Sequence, residues 1–122
     1  MKSFEGLEVW QKGTELRQKI TALSRTLPNE EKYRLSDQMI RASRSITNNI
    51  AEGYGRFHFQ ETIQFCRQSR GSTYEIIDHL IICEEEGYVT KEELHGLKED
   101  CFIVIKLLNG FIRYLKSRKN KN

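Results

Sequence analysis

The stretch from Thr90 to Leu115, TKEELHGLKEDCFIVIKLLNGFIRYL, decides the fold. Its opening, Thr90-Lys91-Glu92-Glu93, has the form of a capping box. The threonine hydroxyl can accept from an orphan backbone N–H while the glutamate reaches back to the threonine N–H. Leu94, Leu97, Cys101, Val104, Leu108, Phe111 and Leu115 then alternate steps of three and four without a miss. That is the spacing of one helical face. Phe102, Ile105 and Ile112 widen the stripe, so this helix is expected to be buried against more than one neighbour.

Working outward, the preceding segment predicts a helix from about Phe59 to Glu86, with Phe59, Ile63, Cys66, Thr73, Ile77 and Leu80 on one stripe and Gly87 as its stop. Gly71 lies in its middle, where glycine costs up to ~1 kcal/mol relative to alanine. A close backbone approach by a neighbour is the expected reason. Before it, Leu35, Met39, Ala42, Ile46 and Ile50 mark a helix from about Tyr33 or Ser36 to Gly53. The first helix runs from about Leu7 to Arg25, with Val9, Gly13, Leu16, Ile20, Leu23 and Leu27 in phase. Leu27-Pro28 ends it, because proline pushes the preceding residue out of the α region. Four amphipathic helices on short loops predict an all-α, antiparallel up-down four-helix bundle, one domain over residues 1–122. Residues 116–122, KSRKNKN, read as a basic, flexible tail.

Composition narrows the functional classes. Hydrophobic residues make up 38% of the chain, too many for a disordered protein. Cys66, Cys83 and Cys101 are odd in number and form no CxxC pair. A disulfide framework or zinc site is therefore not expected, and a reducing cytoplasm fits. MKSFEGLEVW carries neither a signal-peptide core nor a lipidation motif. The longest apolar run, Ile76 to Cys83, is broken by Asp78 and His79, so no membrane span is expected. Net charge is +3, unevenly spread: residues 73–115 are net −5 and residues 116–122 net +4. Such asymmetry suits self-association or an anionic partner.

One stripe is polar. On a wheel of roughly 100° per residue, Gln38, Arg41, Ser45, Asn49 and Glu52 fall within an arc of roughly 80°, beside the apolar face of the second helix. Asn48 and Asn49 are poor helix formers that need compensation. The third helix offers Ser72 and Glu75. We expect a hydrogen-bonded network in which Arg41 and Glu52 meet Ser72 and Glu75, within or across subunits. A solvated stripe and a ligand site are the alternatives.

These residues carry a resemblance. Phe4-x-x-Leu7-x-Val9-Trp10-Gln11 opens it, and Leu27-Pro28-x-x-Glu31-x-Tyr33-x-Leu35-x-x-Gln38 follows. Arg41-Ala42-Ser43-x-Ser45-Ile46-x-x-Asn49-Ile50-Ala51-Glu52-Gly53 is its centre, and Gly71-Ser72-x-x-Glu75 completes it. Over about residues 4–115 the chain resembles the bacterial four-helix-bundle proteins encoded in intervening sequences of large-subunit ribosomal RNA genes, often called ribosomal-protein-like. It is also similar to the accessory variability determinant of diversity-generating retroelements. The resemblance implies a ring, typically a homopentamer, without known enzyme activity. It also implies a nucleic-acid role, alongside a nucleic-acid-processing partner in the retroelement case. Arg67-Gln68-Ser69-Arg70 departs from the family, which often has an apolar run there.

Between residues 35 and 72 every basic residue is arginine: Arg41, Arg44, Arg56, Arg67 and Arg70. Arginine binds phosphate bidentately and stacks on bases. Arg44, Arg56, Arg67 and Arg70 are the candidate nucleic-acid contacts, with Arg41 structural and Arg56 and Arg67 pointing outward. The bland reading pairs the arginines with Glu52, Glu61 or a neighbour's acidic fourth helix. Lys116, Arg118, Lys119 and Lys121 form either an electrostatic arm or a solubilising terminus that suits the helix dipole. Only Glu92-Glu93-Leu94-His95 has the Glu-x-x-His spacing that a di-iron bundle needs twice. His79 and Cys83 offer two ligands and no third. No GxSxG, P-loop or GxGxxG occurs. Neither a metal, a cofactor nor catalysis is expected. Trp10 is expected to be a packing anchor. The chain thus reads as a non-enzymatic, self-assembling bundle that binds structured RNA or DNA, with a protein–protein adaptor or ring scaffold as the alternative.

Overall fold

A computed structural model describes residues 3–120. Helix α1 spans Glu8–Ser24, α2 Leu35–Tyr54, α3 Phe59–Glu85 and α4 Lys91–Asn120. Short 3-10 turns at Phe4–Gly6 and Asn29–Glu31 precede α1 and α2. No strand occurs among the described residues.

Hydrogen bonds between helices fix the topology. Ser36 Oγ donates to the Ser24 carbonyl and Arg17 Nη1 to Thr47 Oγ1, so α1 and α2 run antiparallel. Thr62 Oγ1 donates to the Gly53 carbonyl and Ser69 Oγ to the Ile46 carbonyl, which sets α2 antiparallel to α3. Arg70 to Asn109 and Lys119 to Gln60 do the same for α3 and α4. Lys19 on α1 bonds Asp100 on α4 at 2.8 Å and closes the up-down bundle.

The core follows the periodic stripes. Leu16, Ile20, Met39, Ile46, Ile50, Ile63, Ile76, Leu80, Val104 and Leu108 are almost fully buried. Each such side chain contributes about 1.5–3 kcal/mol on leaving water. The capping box forms: Thr90 N donates to Glu93 Oε1 at 2.9 Å and Glu93 N to Thr90 Oγ1 at 3.1 Å. Trp10 is half-buried with its ring edge-to-face on Phe4 at 5.3 Å.

Two expectations change. Residues 116–120 continue α4 to Asn120 as helix instead of leaving it as a flexible tail. Helical phase therefore fixes where Lys116, Arg118 and Lys119 stand, while Lys121 lies outside the described residues. Gly71 is also not a point of close approach, because a Cβ added there meets nothing within 4 Å. The close approach is at Gly53, where an added Cβ would lie 2.7 Å from Phe65 Cβ.

Candidate functional site

The α2–α3 seam is built from small hydroxyl residues. Thr62 and Ser69 are buried and each bonds a main-chain carbonyl of α2, at 2.8 and 2.7 Å. Next outward, Ser72 Oγ donates to Ser45 Oγ at 2.9 Å. Asn49 Nδ2 donates to the Ser45 carbonyl and hydroxyl, at 2.8 and 2.9 Å. That answers the cost of an asparagine in mid-helix, since the side chain bonds the preceding turn instead of competing with it.

Above this line lies an open polar groove of about 390 Å³, where Gln38, Arg41, Ser45, Ser72 and Glu75 come together. Arg41 and Glu75 are both exposed there and form no ion pair with each other. Glu75 Oε2 instead accepts from buried His79 Nε2 at 2.9 Å, in the tautomer that carries its proton there. Glu52 leaves the expected network. It turns toward Arg56 at 3.4 Å, four residues on, because the helix places i and i+4 side by side. The seam is thus a short Ser-Ser-Asn relay flanked by charges, and Glu52 belongs to the turn beyond it.

The basic residues separate onto two surfaces. Arg44 is exposed on α2, and Arg56 sits at the α2–α3 turn. Arg56 pairs with Glu52 and Glu61, the latter at 3.9 Å, and lies 5.1 Å over the Phe65 ring. Arg67 and Arg70 lie on the edge of α3 that faces α4. Arg70 is half-buried and donates to Asn109 Oδ1 at 2.7 Å. The register set by that bond and by Lys119–Gln60 brings Arg67 level with Ile112 and Arg113. Among the described residues, no carboxylate pairs with Arg44, Arg67, Arg113, Lys116 or Arg118. Arg67, Arg113 and Lys116 therefore form a row of cations without neutralising partners on the α3–α4 edge, while Arg44 stands on α2 and Arg118 on the face of Phe111 and Tyr114.

A family model for the 23S rRNA-intervening sequence protein matches residues 5–110. The chain belongs to this family. A crystal structure of a protein of unknown function from the S23 ribosomal protein family of Bacteroides thetaiotaomicron is similar to it. The TM-score is 0.79 at 26% identity, over 86% of this chain and 95% of that one. No curated protein matches the chain. The departure from the family at Arg67-Gln68-Ser69-Arg70 has a packing explanation here. Ser69 takes an interior position with its hydroxyl satisfied by α2, while the arginines stay at the rim.

The thiols of this intervening-sequence protein are packing groups. Cys66, Cys83 and Cys101 are all buried. Burial raises the Cys66 and Cys101 thiols to about 12 and the Cys83 thiol to about 11. The thiolate is the nucleophile, so these groups are poor ones. His95 pairs with Glu99 on the surface, not with Glu92. No group of three or more His, Cys, Asp or Glu converges among the described residues, and no described helix is long and apolar enough to cross a membrane.

The sequence reading passed over Thr62, Ser69, Thr47 and Arg17. A signal existed for the first two. Thr62, Ser69, Ile76 and Cys83 recur every seventh residue and all are buried. Small hydroxyls in that phase mark a helix face packed close to another backbone. Nothing local marks the bond from Arg17 to Thr47, 30 residues apart.

Proposed function

We propose that this family member is a non-enzymatic, self-assembling bundle of the cytoplasm that binds structured RNA or DNA. The carrying observation is the unneutralised row on the α3–α4 edge: Arg67, Arg113 and Lys116, held at fixed spacing by two helices. Exposed Arg44 offers a separate cation on α2, and Arg56 and Arg70 contribute while also holding the fold. Phosphates attract such rows without base readout. The family's name, which ties its members to intervening sequences of 23S rRNA, agrees with an RNA partner. Assembly as a homopentameric ring, the state that the resemblance implies, would multiply each row into one broad surface. The hydroxyl seam and the groove at Gln38, Arg41 and Glu75 would then hold geometry, not chemistry. A nucleic-acid-processing protein is a natural companion for such a ring.

A second reading, a ring scaffold without nucleic acid, draws on Phe102 and Ile103. These are 47% and 48% exposed on α4 and suit contact between copies. The test is binding of a structured RNA across a salt series. Log K is expected to fall with log salt by about 0.7–0.9 per neutralised phosphate. Replacing Arg67 and Lys116 by alanine should lower that slope by about 1–2. No binding to RNA or duplex DNA at low salt would leave the scaffold reading standing.

A further inference from the structure

A second cavity is larger than the polar groove. It lies at the end of the bundle where the α2–α3 turn meets the last turns of α4, and holds about 530 Å³. Tyr54, Phe57, Phe59, Phe111 and Tyr114 line it, and no acidic residue does. Phe111 and Tyr114 stack within 10° of parallel at 6.3 Å, and Tyr54 and Phe57 meet at 6.5 Å. Three observations point to a ligand. Phe57 is 90% exposed, although burial would lower its free energy. Its backbone sits at φ +55°, a region that a bulky side chain rarely enters. Cations flank the rings: Lys119 lines the adjoining cleft with Phe57 and Phe59, and Arg118 continues the face of Phe111, Tyr114 and Leu115 at helical spacing.

We infer that this aromatic pocket takes an unpaired base of a single-stranded RNA or DNA segment, stacked against Phe57, with the adjacent phosphates on Lys119 and Arg118. This rests on the nucleic-acid reading above and names what the bundle would recognise: a loop, bulge or end whose base is free to leave its own stack. The chemistry is specific to the arrangement. Flat rings accept the face of any base, and neighbouring cations hold the chain that carries it. A basic or purely aliphatic protein segment would gain little from aromatic rings flanked by Lys119 and Arg118.

The probe is a short single-stranded RNA carrying 2-aminopurine, titrated against the intact protein. Binding is expected to quench the fluorophore by stacking. Phe57→Ala should weaken binding by roughly 5- to 100-fold, the range for one base–aromatic stack, and remove the quench. Phe57→Trp should keep both. Because the ring is exposed, circular dichroism and melting should show the variants folded. Unchanged affinity and quench in Phe57→Ala would overturn the pocket while leaving phosphate binding by the α3–α4 row intact. A change of oligomeric state in Phe57→Ala would assign the pocket to a contact between copies and overturn it differently. Failure of the wild-type protein to bind any RNA or DNA would sink both readings together.

Discussion

The α2–α3 seam and the α1–α4 seam solve the same packing problem in opposite ways. Between α2 and α3 the backbones come close, and the contact is made by Gly53, Thr62, Ser69, Ser45 and Ser72 through short hydrogen bonds. Between α1 and α4 the closing polar contact is the exposed Lys19–Asp100 pair, beside a small cleft of about 50 Å³ near Ile103. A seam of small side chains has one geometry, because van der Waals contact leaves no slack. A seam bridged by long charged side chains tolerates displacement. The α2–α3 pair is therefore the stiff half of the molecule, and the α1–α4 side is the half that can adjust.

Gly53→Ala attacks the stiff seam directly and should have the largest effect. The added methyl would sit 2.7 Å from Phe65 Cβ, so helices must separate or Phe65 must shift. Overpacking of this kind costs about 1–3 kcal/mol, measurable as a lower midpoint in urea. A variant as stable as the parent would show that the seam has slack after all. Ser69→Ala comes next. It removes a buried bond to the Ile46 carbonyl but leaves that carbonyl its helical partner, so about 1 kcal/mol should be lost.

Gly71→Ala has the opposite sign. Its Cβ meets nothing within 4 Å, and alanine raises helix propensity, so stability should rise by about 0.5–1 kcal/mol. Thermal melts of Gly53→Ala and Gly71→Ala side by side sharpen the comparison, since the same substitution moves Tm in opposite directions. A loss at Gly71, together with dissociation of an assembly, would place that glycine against a second copy. The smallest effect belongs to the loose seam. Lys19→Met should cost about 0.2–1 kcal/mol, shrinking further in high salt, because the pair is exposed. A large, salt-independent loss there would remove the distinction between the two seams.

The sequence showed the helices because their signals are local. The Thr90–Glu93 box and the three-four stripe of α4 involve residues within one or two turns. The box forms, and Cys101, Val104, Leu108 and Leu115 are buried with Leu94, Leu97 and Phe111 partly so, but Phe102, read as widening the stripe, faces outward. Choosing between Gly53 and Gly71 was beyond that information. It depends on the register that sets Gly53 beside Thr62, which only the packed pair defines. Glu52 was misplaced for a related reason. A wheel gives its direction but not the competition from Arg56, one turn away. The polar groove was legible in Gln38, Arg41, Ser45, Ser72 and Glu75 as a set, though not in its pairings. The aromatic pocket drew residues from both ends of the chain, Leu7 and Phe111 among them, and no local pattern joins those.

The three buried thiols carry a consequence for measurement. Cys66 and Cys83 lie on α3 and Cys101 on α4, each sealed in the core and held protonated by burial. A thiol reagent in solution cannot reach them until the helices part. The rate at which each sulfur is labelled therefore times a separate opening event, without an introduced cysteine. If α3 comes away as a unit, Cys66 and Cys83 should label together. If the bundle frays from one end, their clocks will run apart.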